Sequence, residues 1–404
     1  MTNTPEHHWT PEHDWNTPEH DWTRSGVVSL TGHAGRPIVP PGAAASWARE
    51  CADVLRAASV GAIDVDGPVL LGERAAFTGM TRSGRLAPGG HTRLLPTADG
   101  WAALSCSRPD DPALYGALIS DDITVADPWP QLEQWLVTHT GIELDERAEL
   151  LGLAAHSVST PTPTPMRLHG GRSPQGLRVV DFSALWAGPL CAQLLGLGGA
   201  EIIKVETTTR PDGARRGNQD FYNLLHAGHR SVVFDPADPN DRRRVAELVA
   251  SADIVIEASR PRALRGFGID ADEVVASGTT WISITAFGRD CHRIGFGDDV
   301  AAAAGLVALD DAGDPVFCGD AIADPLTGLT AAVLALGEPG VVHDISMAGV
   351  VASTLTGEPS VACVRSGDEW VTPGGHPVAA PRSRAVGGQA PASGADTDAV
   401  FGEL

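Results

Sequence analysis

Carboxylates at helix starts, and arginines gathered in one stretch, are the residues of this 404-residue chain best suited to chemistry. Asp324 followed by Pro325 reads as the cap and first position of a helix that runs on through Leu329–Leu336. Asp caps free backbone N–H groups, and Pro loses nothing in a first turn that has no partner for its nitrogen. A helix N-terminus also stabilises negative charge, so a carboxylate there stays ionised and able to attack an electrophile. Asp320, in Cys318-Gly319-Asp320, stands four residues earlier, and Gly297-Asp298-Asp299 reads as a second acidic helix start. From Lys204 to Arg265 there are 11 Lys/Arg against 9 Asp/Glu, in a chain whose formal charge is −22. A phosphate-bearing ligand needs such a local excess, although Arg242-Arg243-Arg244 reads as a solvated helix face. The repeat Thr4–Trp9, Thr10–Trp15 and Thr17–Trp22 carries four histidines, yet its low complexity reads as a tail and no metal is expected.

These groups need a frame, and the stretch Leu177–Glu206 supplies its first unit. Val179, Val180 and Phe182 make an apolar run, Gly188-Pro189 opens a Leu-rich helix, Gly198-Gly199 ends it, and Ala200–Val205 is the next strand. This is a βαβ unit with a right-handed crossover, and such units present backbone N–H groups at the C-terminal sheet edge, where phosphates sit. The glycines of Gly196-Leu197-Gly198-Gly199 follow the helix instead of opening it, so they are not a dinucleotide fingerprint. Further strands are predicted near 231–235, 253–257, 281–286 and 341–346, with a helix over Asp241–Ala250. Alternation of this kind predicts an α/β, parallel-sheet, Rossmann-like nucleotide-binding domain. Upstream, Trp47–Ala58 reads as a helix and Arg93–Leu104 as a hairpin turning at Asp99-Gly100. The expected division is a disordered repeat tail over 1–25, a smaller α+β domain over 26–155, a linker over 156–176, the Rossmann-like domain over 177–350 and a C-terminal segment over 351–404.

Several motifs in this order resemble class III CoA-transferases, the CaiB/BaiF type, which include formyl-CoA transferase and carnitine CoA-transferase, with α-methylacyl-CoA racemase as a relative. The matching residues are Asp181-Phe182-Ser183, Ala187-Gly188-Pro189 and Ile203-Lys204-Val205-Glu206 in the first unit. Then come Pro211–Gly217, Leu225–Val232, Ala252–Glu257 with Ser259-Arg260-Pro261, and Ser283–Gly288. The resemblance implies a transferase that moves CoA from an acyl-CoA to a carboxylic acid through an aspartyl anhydride and an aspartyl-CoA thioester. It places the nucleophile at Asp324, four residues before Gly328, with Asp320 as the competitor. It assigns CoA binding to Trp186, Ala187, Arg210 or Arg216, and Arg260. It implies CoA or acyl-CoA as substrate, no tightly bound cofactor, a small carboxylic acid as the other partner, and a homodimer.

Departures keep two alternatives open. The hairpin segment precedes the nucleotide-binding unit here and follows its first part in the family, a rearranged order. Asp298 stands where the racemase relative has a histidine, and an ordinary carboxylate lacks the near-neutral pKa suited to carbon-proton transfer. Thr207 replaces an arginine found in some relatives, and no glycine-rich flap is evident. The alternatives are a racemase-like enzyme and a non-catalytic CoA-binding protein. The acidic net charge argues against nucleic acid and anionic membrane surfaces. Six scattered cysteines and the lack of a long apolar run point to a cytoplasmic protein.

Overall fold

Residues Val179-Val180, Ile202-Ile203 and Ile254-Val255-Ile256 are apolar at consecutive positions, the pattern of strands covered on both faces. The computed structural model, which describes residues 17–121, 127–159, 165–168, 171–258 and 262–404, builds a parallel sheet from them. Its strands are β1 (Arg178–Asp181), β2 (Glu201–Thr207), β3 (Arg230–Phe234), β4 (Ile254–Glu257), β5 (Thr280–Thr285) and β6 (Val342–Ser346). They pair in the order β6-β5-β4-β1-β2-β3, every pair parallel. This is the doubly wound order, and its switch point lies between β1 and β4, where the connections leave in opposite directions and open a crevice.

Four helices bear on that crevice: α1 (Glu73–Thr78), α2 (Ala187–Leu197), α3 (Gly297–Ala303) and α4 (Ala323–Ala335). Helices α2 and α4 pack side by side on one sheet face, their Leu190, Leu194, Leu326 and Leu329 fully buried. Gly328 makes this approach possible, since a Cβ there would lie 2.6 Å from the Ala187 carbonyl oxygen.

The smaller α+β unit begins at the hairpin. Strands Thr92–Pro96 and Trp101–Ser105 pair antiparallel, and Ala155–Ser157 joins them. Helices Asp111–Ile119, Trp129–Leu136 and Gly141–Leu151 cover this sheet around a separate core of Leu95, Leu104, Tyr115, Leu132 and Leu144. The boundaries differ from those expected at 25 and 155. Residues 27–71 share the core of the large sheet, because Trp47, Cys51 and Leu55 form one apolar face of the helix Ala44–Ala58. The third hexapeptide of the repeat also belongs to this core. Thr17 caps the helix Pro18–Arg24, Trp22 is buried with its indole N–H donating to the Gly42 carbonyl at 2.8 Å, and Asp21 accepts from Ser46 and Arg49. The other two copies lie outside the described residues. The C-terminal segment wraps back over the domain: Val361 pairs with Val39, Arg384 binds Glu73, and the helix Thr397–Gly402 docks on β3 through Val400.

Candidate active site

Helix α4 starts earlier than the Asp-Pro signature predicts. Ile322 occupies the cap position, Ala323 the first, and no side chain caps the helix. The expected capping role of Asp324 is therefore corrected. The preceding turn is already held from outside, which leaves the Asp324 carboxylate in the first helical turn on a cavity wall. Gly297, at the start of α3, donates its N–H to Asp324. A Cβ at Gly297 would fall 2.3 Å from Asp324 Oδ2 and 2.4 Å from the Ala321 carbonyl oxygen, so only glycine lets the two helix starts meet.

Three groups pin the turn that feeds α4. Thr31 Oγ1 accepts from the Gly319 N–H at 3.0 Å, and Asp298 Oδ1 accepts from the Ala321 N–H at 2.7 Å. Arg74 on α1 donates to Asp320 through Nε at 2.8 Å and a terminal nitrogen at 2.6 Å. Ala321 is held at φ 44°, and Leu185, on the β1–α2 turn, at φ 69°. Both are strained for residues with a Cβ, and such strain persists only where the surroundings impose it.

Four carboxylates gather at these two helix starts. Asp299 is fully buried and accepts from Ser105 Oγ at 2.7 Å and the Phe296 N–H at 3.1 Å. His156, on the third strand of the small unit, lies 3.3 Å from Asp299. Its Nε2 donates to the Ile294 carbonyl at 2.8 Å while its Nδ1 accepts from Arg293 at 2.7 Å. Burial pushes the Asp324 carboxyl up to about 7, with Asp320 and Asp299 adding to the rise and Arg74 opposing it. Asp298 is also pushed up to about 7, by burial first and then by Asp320. An ordinary carboxylate is expected at 298, and burial beside Asp320 pushes its carboxyl upward from that range.

A cavity of about 560 Å³ opens at the C-terminal ends of β1, β4, β5 and β6. Ala184, Ala258 and Thr285 line it beside those strand ends, Ala187 from the start of α2, Met347 from the start of the helix Met347–Ser353, and Asp324 from α4. Among the described residues its arginines are Arg265, Arg289 and Arg293. Arg289 is tied to the buried Glu257 at 2.6 Å, and Arg265 to Asp270 at 2.9 Å.

Of the residues singled out in the sequence, Asp324 and Ala187 line this cavity. Trp186 sits at the cap of α2, 2% exposed, with Arg74 over its ring at 4.9 Å and Phe221 edge-on at 5.3 Å. Arg210 and Arg216 are exposed beyond β2 and are not among the cavity-lining residues, while Arg260 lies outside the described residues. In the Pro211–Gly217 segment it is Arg215 that turns inward, forking onto Glu206 of β2. Asp320, weighed as a nucleophile, is 0% exposed and occupied by Arg74. Sequence reasoning missed Arg74, His156 and the cavity arginines, for which no local spacing gives a signal.

Comparisons with known proteins bear on the family of the chain. CoA-transferase family III matches residues 175–378, half of the chain. Succinyl-CoA:glutarate CoA-transferase of Mus musculus is 32% identical over 171 residues, covering 39% of this chain and 39% of that protein. Succinyl-CoA–D-citramalate CoA-transferase of Chloroflexus aurantiacus is 33% identical over 174 residues, covering 40% and 43%. A solved CaiB/BaiF family protein from Brucella suis is 26% identical, with a TM-score of 0.42, covering 46% of this chain and 55% of its own. The chain thus spans about two fifths of the length of the curated relatives it matches. With the family's motifs set on a doubly wound sheet and an aspartate at the wall of its switch-point cavity, the chain belongs to CoA-transferase family III.

Proposed function

We propose that this protein moves CoA from an acyl-CoA to a carboxylic acid, with Asp324 as the nucleophile. The carrying observation is the position of Asp324, on the wall of the switch-point cavity and in the first turn of α4. The Asp324 carboxylate attacks the thioester carbonyl and the CoA thiolate leaves, giving a mixed anhydride. The thiolate then attacks the aspartyl carbonyl, releasing the first acid and forming an aspartyl-CoA thioester. The acceptor carboxylate attacks that thioester, and the returning thiolate takes the acceptor's acyl group and frees Asp324. Burial pushes the Asp324 carboxyl up to about 7, so the carboxylate that opens and closes the cycle is the form that gains above that pH. The arginines on the cavity wall suit the anionic groups of CoA and of the acids. CoA is a substrate here and no bound cofactor is required. A homodimer in the cytoplasm accompanies this reading, and a monomer by light scattering at micromolar concentration would contradict the dimer.

Incubation with acyl-CoA and hydroxylamine tests the nucleophile. An aspartyl hydroxamate at Asp324, found by peptide mass spectrometry and lost in Asp324→Asn, is expected. A hydroxamate at another residue, or full transfer by Asp324→Asn, would refute it, and no adduct from any acyl-CoA would favour a non-catalytic CoA-binding protein. One observation favours a second reading, α-proton exchange on an acyl-CoA: Asp298 and Asp324 stand at adjoining helix starts, where burial pushes both carboxyls upward. Deuterium uptake at the α-carbon in heavy water, without acceptor acid, identifies that reaction.

A further inference from the structure

We propose that Arg74 is a positioning residue for Asp324: it clamps Asp320, so fixing the strained Ala321 turn that launches α4, and it supplies the counter-charge to the surrounding carboxylates. The proposal rests on the reading of Asp324 as nucleophile.

The geometry assigns Arg74 two tasks. Its fork holds both oxygens of Asp320, a residue with no exposure, and the Ala321 turn follows directly. Asp324 donates its own N–H back to the Ala321 carbonyl at 2.9 Å, so the turn and the nucleophile move as one piece. The arginine is itself braced. Its neighbour Glu73, 1% exposed, is gripped by Arg384 at 2.7 Å, and its guanidinium lies over Trp186.

The second task is electrostatic. Asp299 faces Asp324 from α3, Asp320 from the turn and Arg74 from α1, while Asp298 faces Asp320 and Arg74. Asp299 is answered locally by Ser105, the Phe296 N–H and His156. The arginines that share the cavity wall have other partners: Arg293 binds His156 and lies 3.4 Å from Asp145, and Arg289 binds Glu257. Arg74 is therefore the cation, among the described residues, engaged directly with this cluster. The bland alternative is a clamp joining the 73–78 helix to the sheet domain, with no bearing on the reactivity of Asp324.

Opposite charge changes separate the two. The full-length protein is measured as wild type, Arg74→Gln, Arg74→Lys and Asp320→Asn, by the pH profile of kcat/KM and by carboxyl ¹³C NMR of protein labelled at aspartate. Removing a cation beside a carboxylate raises its pKa, so Arg74→Gln should move the acidic limb up by about 1 unit or more. Asp320→Asn removes a like charge and should move the limb down, and Arg74→Lys should restore most of the wild-type position. Limbs that stay in place while only the rate falls would leave Arg74 a structural clamp and overturn the proposal. If Arg74→Gln does not fold, the downward movement in Asp320→Asn and the retained limb in Arg74→Lys still decide. Hydroxamate at Asp324 with unmoved limbs would refute the Arg74 role and leave the transfer reading standing. Opposed NMR titrations in a protein that forms no adduct would refute the transfer reading and leave the counter-charge role standing.

Discussion

Replacing Asp324 with Asn should stabilise the protein at alkaline pH while ending transfer. In the folded state this carboxyl is pushed up to about 7 from an ordinary 3.8, so the fold favours its neutral form. A carboxyl raised on folding contributes stability that is full below its unfolded value and is lost as pH rises through its folded value. At pH 8 the wild type therefore carries the whole cost of ionising Asp324 inside the protein. A span of about 3 pH units at 1.36 kcal/mol each gives ~4 kcal/mol. The residue is part-exposed on the cavity wall, and solvent there screens the cost to about 2–3 kcal/mol. Asparagine keeps the volume and stays uncharged, so Asp324→Asn should unfold at higher urea, with a gain of about 2–3 kcal/mol at pH 8 that narrows to about 1.5 kcal/mol at pH 5. Nucleophiles held in environments that resist their charge commonly trade stability for activity in this way. An Asn variant no more stable than wild type at pH 8, or a gain that does not change with pH, would refute the reasoning.

Other substitutions test the frame around the site. Gly328→Ala gains about 1 kcal/mol of helix propensity, but its Cβ would lie 2.6 Å from the Ala187 carbonyl, and overpacking of this kind costs about 1–3 kcal/mol. The melting temperature should fall and turnover with it, and an unchanged melting curve would show that α2 and α4 yield easily. Lys204→Met should cost about 3–5 kcal/mol, because Lys204 is 1% exposed and bonded to Asp212 at 2.9 Å and the Ser183 carbonyl at 2.9 Å. Adding Asp212→Asn should recover part of that loss, and strictly additive losses would contradict the pairing. Trp22→Ala should cost about 3–5 kcal/mol by urea denaturation, since the indole is buried in the main core; a negligible change would separate the Pro18–Arg24 helix from that core.

Much of the frame was legible because it is local. Consecutive apolar residues mark β1, β2 and β4 as strands covered on both faces, and the glycines around 198 mark the end of α2 within about a turn. Asp99-Gly100 announces its hairpin, and Asp324 stands out by its place before Pro325 and Gly328. The misreadings share a cause. The cap of α4 depends on a turn held by Arg74 and Thr31, more than 240 residues upstream. The third hexapeptide looked like tail because nothing in its composition shows that Gly42, Ser46 and Arg49 await Trp22 and Asp21.

The amino-acid sequence alone therefore determined the alternation of strands and helices, the order of the motifs, and the aspartate at the head of α4, each of which follows from backbone preference and side-chain periodicity over a few residues. Tertiary structure alone decided the chemistry of that aspartate. Whether a carboxyl titrates near 4 or near 7 depends on how much water folding removes and which charges it brings close. Here those charges come from residues 74, 299 and 320, which meet only once the chain has closed around the switch point of the sheet.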